Sequence, residues 1–157
     1  MVNTRKNHNV FIFGYGSLMN NASRKRTLKK NVKGYPTILR KKFGYKKKFN
    51  TIAGRHKGKE IVLGIEKNPK KTTTVSGVLF PVSKLQLNKL NKREGVYKRI
   101  YIPHKYIKST LKLSPNSRVY TYRPIHIKSR FNKTQRIYKD YKNAVEKGRM
   151  QLFGKKM

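Results

Sequence analysis

Along this 157-residue chain, apolar residues fall in short blocks separated by basic stretches that carry glycine, proline and asparagine. Such spacing predicts strands and short helices, since no block approaches the length of a membrane span. The first block, Val10–Phe13 (VFIF), closes on Gly14-Tyr15-Gly16 and predicts a buried strand running into a tight turn. Asn20–Lys33 is almost wholly polar and basic, and predicts a loop with no more than one helical turn. Tyr35–Asn50 mixes β-branched and aromatic residues with lysines, which reads as two half-exposed strand segments with Gly44 as a bulge or bend. Thr51–Lys59 holds two glycines and predicts a loop. Glu60–Glu66 and Thr73–Val82 read as strands joined at the turn-like Asn68-Pro69.

The clearest helix start lies at Ser83. Its hydroxyl can cap the first turn while Gln86 reaches back to the Ser83 amide, and Val82 can pack on Leu87 as a hydrophobic staple. Leu87 and Leu90 continue an apolar face, and Gly95 ends it. Glu94 therefore falls at a helix end, just before a strand over Val96–Ile102. Arg118–Tyr122 predicts a further strand, and Thr134–Lys147 a closing helix with Ile137, Tyr141, Ala144 and Val145 on one face and Gly148 as its stop. Strands with interspersed helices and hairpin-like returns favour an α+β fold, a small mixed β-barrel or sheet with flanking helices. The length fits one core, so Met1–Asn9 reads as a basic flexible arm and residues 10–157 as a single domain.

Charge changes this picture. Forty-one Lys and Arg stand against five Asp and Glu, a formal net charge of +36. AT-rich codons can inflate lysine but do not remove glutamate, so the loss of acids reads as selected. Self-repulsion at this charge disfavours a compact state, and screening acts only beyond about 8 Å at physiological salt. A polyanion is the expected counterweight, and nucleic acid the expected polyanion, because phosphate contacts release condensed counterions. No basic helix with a bulky apolar stripe points to a membrane surface instead. The cations are spread along the whole chain, which suits broad backbone contact better than base reading. The clusters to be tried first are Arg24, Lys25, Arg26, Lys29 and Lys30, then Lys46, Lys47 and Lys48. In a strand, Lys46 and Lys48 share a face opposite Lys47. The plainer account of each cluster is a solvated face. With no cysteine, thiol chemistry is excluded. His8, His56, His104 and His126 lack metal-ligand spacing and read as surface or packing residues. Met1–Asn9 has no hydrophobic signal core, so a soluble chain without a classical export signal is expected.

Several segments together are similar to one family. Val10–Leu18 ends in Tyr-Gly-Ser-Leu and resembles the opening signature of the γ-glutamylcyclotransferase-like proteins, including the ChaC-type and AIG2-like branches. Gly44–Asn50 (GYKKKFN), Val75–Phe80 and the block holding Leu87, Leu90, Arg93-Glu94-Gly95 and Tyr97-Lys98-Arg99 resemble later segments in the same order. The final helix, with Tyr138, Asp140, Tyr141 and Gly148, resembles the closing helix. No single motif decides the match; the order and spacing over Val10–Gly148 do.

The resemblance implies a small mixed barrel with a pocket between the early turn and a glutamate. Family enzymes release 5-oxoproline from γ-glutamyl compounds by internal cyclisation. Their catalytic glutamate falls on Glu94, and their substrate-cradling loop on Tyr15, Gly16, Ser17 and Leu18, with Tyr97 nearby as a lining or core residue. The chemistry is coherent: a carboxylate can take a proton from the substrate ammonium and return it to the leaving amine. The nucleophile belongs to the substrate, so proximity supplies much of the acceleration, and neither metal nor organic cofactor is required. Lys92, Arg93, Lys98 and Arg99 flank Glu94 and should hold its pKa down, against what a general base needs. A helix-end Glu paired with Arg93 or Lys98 is the plainer alternative. Glu60 and Glu66 read as surface ion-pair partners, and Asp140 as a partner for nearby lysine. Ser17 has no Gly-x-Ser-x-Gly elbow around it and reads as a loop hydrogen-bonder. Two functions follow: a γ-glutamyl cyclotransferase, or a non-catalytic component of a virion or ribonucleoprotein particle that kept the fold.

Overall fold

The computed structural model describes residues 9–54, 56–93 and 95–154, so all of the expected basic arm except Asn9 lies outside the described residues. The VFIF block supplies the central strand, β1 (Val10–Gly14). On one side it pairs antiparallel with β5 (Val75–Val82), and on the other parallel with β8 (Arg118–Pro124). β6 (Tyr97–Ile102) extends the sheet beyond β8, while β2 (Tyr35–Leu39) and β7 (Ile107–Ser109) extend it beyond β5. The six-stranded order is β6-β8-β1-β5-β2-β7. β3 (Tyr45–Ala53) and β4 (Glu60–Lys67) form a separate antiparallel pair whose register breaks between Phe49 and Thr51, leaving Asn50 as a bulge.

Alternation along β1 divides the core into two layers. Phe11 and Phe13 pack with Leu79, Val119, Leu63 and Ile65, so this face takes the β3–β4 pair. Ile12 points the other way and packs with Phe80, Val78, Leu28 and Leu90, so that face takes the helices α1 (Asn21–Leu28) and α2 (Lys84–Arg93). Phe13 and Phe80 are fully buried, each contributing on the order of 2–3 kcal/mol of apolar burial. The capping box of α2 forms as expected: the Ser83 N–H donates to Gln86 Oε1 (2.9 Å) and the Gln86 N–H to Ser83 Oγ (3.1 Å). Among the described residues no helix is long and apolar enough to cross a membrane.

Two sequence expectations are corrected. The segment after Asn20 is a helix, α1, rather than a loop. Its apolar content is low, but Asn20 caps it, with Oδ1 accepting from the Ala22 and Ser23 amides at 2.8 and 3.2 Å. The closing helix, α3, spans Lys139–Phe153 rather than Thr134–Lys147. Thr134 and Gln135 are held instead in a turn by Asn132 Oδ1, at 3.0 and 3.1 Å from their amides. Gly148 does not stop α3; it is buried within it, against Met19 and Asn20. A Cβ there would stand 2.5 Å from Asn20 N and 2.6 Å from the Met19 carbonyl carbon.

Because backbone rather than a flexible side chain fills that space, Gly148→Ala is expected to push α3 off the turn below it. The loss should be about 1–3 kcal/mol, as for other overpacked sites, read as a lower urea midpoint. An unchanged midpoint would contradict the close approach.

Candidate active site

Where β1 ends, the chain turns through Tyr15 and Gly16 into a single 3-10 turn, Ser17–Met19. The Met19 amide closes on Gly16 O (3.1 Å) and the Asn20 amide on Ser17 O (3.0 Å). This turn forms one wall of a cavity of about 380 Å³. Val62 and Leu63 of β4 form a second wall, and the α2–β6 junction, at Lys92, Gly95, Val96 and Tyr97, a third.

Three tyrosine hydroxyls tie these walls together. Tyr15 Oη donates to Tyr122 O (2.6 Å), and Tyr97 Oη donates to Leu63 O (2.6 Å). The Leu63 N–H donates to Tyr141 Oη (3.1 Å). Both backbone groups of Leu63 are thus satisfied by side chains from β6 and α3, which a buried strand edge requires. Gly16 permits the third contact: a Cβ there would lie 2.9 Å from Tyr141 Oη. A further buried bond, Thr121 Oγ1 to Phe13 O (2.7 Å), fixes the end of β1 against β8.

The structure brings Tyr15, Gly16, Ser17, Leu18 and Tyr97 together around this one cavity. Glu94 lies outside the described residues; the residues that bracket its segment, Lys92 and Gly95, both line the cavity. Of the other cations near it in sequence, Arg99 lies over the Tyr120 ring, 4.7 Å from its centroid. Tyr141 was legible as part of an apolar helix face and of the closing-helix resemblance, not as a cavity residue; a tyrosine among aliphatic positions, with its polar tip, was the available signal.

No family model and no curated protein sequence matches the chain. Solved structures do. A γ-glutamyl cyclotransferase superposes with a TM-score of 0.67 at 16 % identity, covering 92 % of this chain and 80 % of its own. An uncharacterized human protein gives 0.65 at 18 %, with 91 % and 79 % covered. A glutathione-specific γ-glutamyl cyclotransferase from yeast gives 0.64 at 12 %, with 96 % and 90 % covered. The chain has the γ-glutamyl cyclotransferase fold.

On that fold the expected nucleic-acid clusters separate. Lys25, Arg26, Lys29 and Lys30 are exposed on and after α1. Arg24 is not a surface cation, and its expected role is corrected: it is 2 % exposed. Its guanidinium donates to Leu18 O (3.0 Å), Met19 O (2.9 Å) and Val32 O (3.3 Å), and to Asn21 Oδ1. Desolvation holds its pKa below the ordinary arginine value. Arg24 thereby braces the turn that walls the cavity. Glu60 is also corrected: it is 2 % exposed at the start of β4 rather than on the surface. Glu66 accepts from Asn50 Nδ2 (2.9 Å) at the β3 bulge and pairs with Lys46 Nζ at 3.9 Å. Asp140 lies in the first turn of α3.

Lys48 is exposed, and Lys46 half-buried, on the outer face of β3. Lys47 is half-buried on the inner face, in line with Tyr45 and Phe49, which pack against the core. Desolvation, with a smaller contribution from the nearby Arg149 cation, pushes its pKa down to about 8. Unfolded lysine titrates near 10.4, so between about pH 8 and 10.4 the unfolded chain binds more protons at this site. Stability therefore rises with pH across that window and is lowest below it. Lys47→Met should raise stability at pH 7 by about 1–3 kcal/mol, with the advantage shrinking towards pH 10 in paired urea melts. A constant or growing difference would refute this account of Lys47.

Proposed function

We propose that the cavity cyclises γ-glutamyl compounds and releases 5-oxoproline, with Glu94 as general base and then general acid. The observation that carries this reading is the shared cavity. The Tyr15–Leu18 turn and the α2–β6 junction on both sides of Glu94 line the same space, on a γ-glutamyl cyclotransferase fold. Its size suits a small ligand. In the reaction, the substrate α-ammonium gives a proton to the Glu94 carboxylate, and the freed amine attacks the γ-carbonyl carbon. Charge builds on the γ-oxygen, to which amides of the glycine-bearing turn can donate. The bond to the leaving amine then breaks as the carboxyl group returns its proton to that nitrogen, and the extra proton still on the ring nitrogen passes through the same carboxylate to the departing amine, giving 5-oxoproline and the leaving group as its ammonium.

Incubation with glutathione, γ-glutamyl amino acids and γ-glutamyl-lysine should yield 5-oxoproline from at least one. Glu94→Gln should lower turnover about 10²–10⁴-fold, the usual worth of a positioned acid–base group. No product from any substrate, or equal rates for both proteins, would end the proposal.

A second, compatible reading is that the protein works on a nucleic acid, as a component of a virion or nucleoprotein particle. Its motive is 41 cations against five acids, of which Glu60 is buried and Glu66 and Glu146 are already paired with Lys46 and Arg149. With about 6–10 phosphate contacts, affinity for generic DNA or RNA should fall about 10³–10⁵-fold between 50 and 200 mM salt. Weak binding with a flat salt response would remove this reading.

A further inference from the structure

At the sheet edge formed by β2 and β7, a second hollow of about 740 Å³ opens among basic side chains. Arg40, Lys41, Lys42, Lys71, Lys105 and Lys108 line it, and they come from three separate segments of the chain. None of its lining residues is acidic, and among the described residues none of these six cations is in an ion pair. The floor is apolar. Ile38 lies opposite Lys108 in the β2–β7 register, on the outward face of β2, while its neighbours Thr37 and Leu39 are buried. Tyr106 is half-buried beside it, its ring 5.4 Å from that of Phe43.

The hollow is built rather than incidental. The Arg40 amide donates to Tyr106 O (2.7 Å), joining the 3-10 turn Lys41–Phe43 to the segment that precedes β7. The Asn68 amide donates to Gly44 O (2.7 Å), and the Lys71 amide to Asn68 O (2.9 Å), which carries Lys71 over the same turn. Backbone bonds thus hold cations of like sign around one concavity, a repulsion that a bound anion would relieve.

The geometry points to this hollow as a docking site for single-stranded nucleic acid, with the cations on successive phosphates and a base on the Ile38–Tyr106 floor. A single strand is favoured over a duplex because a stiff paired rod cannot bend a base into a concavity, whereas an unpaired strand can combine phosphate contacts with aromatic stacking. A long polymer is favoured over a free nucleotide because the surrounding surface is itself cationic far beyond the hollow. The inference rests on the nucleic-acid reading above and gives it a location.

Fluorescence anisotropy with a labelled 20-nucleotide oligo(dT) or oligo(rU), over 50–200 mM salt, tests it. The four-site variant Lys41→Gln, Lys42→Gln, Lys105→Gln, Lys108→Gln is compared with an equal-charge control on α1: Lys25→Gln, Arg26→Gln, Lys29→Gln, Lys30→Gln. All eight residues are exposed, and thermal melts check both folds. The hollow variant should lose about 3 from the slope of log affinity against log salt, and at least about tenfold in affinity at 100 mM salt, on counterion release from four contacts. The control should lose markedly less. Lysine-to-arginine changes at the same four hollow positions should retain the affinity. Equal losses in hollow and control variants would overturn this site while leaving diffuse nucleic-acid binding intact. A wild type that does not bind would overturn both. Duplex DNA binding as tightly as the single strand, with the same loss on substitution, would overturn the single-strand assignment.

Discussion

The near-contact of α3 with the Ser17–Met19 turn is the constraint on which the rest of the molecule depends. Gly148 lets backbone meet backbone there, Asn20 Nδ2 donates to Ala144 O (3.2 Å), and Tyr141 places its hydroxyl against Gly16 and on the Leu63 amide. Those contacts set how far the β3–β4 pair stands from the end of β1, and so set the width of the cavity. Arg24 supports the turn from beneath through carbonyls at positions 18, 19 and 32. A charge buried in that way is costly unless its donors are used, and here they go to the turn's Leu18 and Met19 carbonyls, to Val32 O and to Asn21 Oδ1.

The distribution of acids fits this division of labour. Glu60 is buried at the root of β4, Glu66 supports the Asn50 bulge, and Glu146 pairs with Arg149 along α3. Glu60 and Glu66 thus sit at joints of the β3–β4 pair, whereas Glu146 lies on the exposed side of α3. Cations, by contrast, are free to populate the outer faces, where each lysine stem can lie along apolar surface while its ammonium stays in water. The fold tolerates +36 because repulsion falls on the solvent side and the apolar layers beneath carry almost no charge.

How much of this was legible in the chain depended on whether the signal was local. The β1 block and its turn were readable from one apolar run and two glycines, and the start of α2 from Ser83 and Gln86 alone. α1 was missed because its burial comes from Ser23, Arg24 and Leu28 rather than from an apolar stripe, and no periodicity marks an arginine that will be enclosed. The end of α3 was misplaced because glycine after a helix pattern reads as a stop; only the facing backbone of Met19 and Asn20 reveals it as a contact residue. For the cavity, the near-sequence members Tyr15–Leu18 and Tyr97 could be named. Leu63 and Tyr141 enter by tertiary packing, through a strand edge that no pattern of residues announces.

Asn20 also couples two helices that would otherwise be independent. One end of its carboxamide terminates α1 and the other grips α3. A fluctuation that lifts α3 removes a hydrogen-bond partner from the same side chain that keeps α1 wound, so the two helices fray as a unit rather than in sequence. The turn that walls the cavity is thereby tied to a helix at the far end of the chain, more than a hundred residues away in sequence.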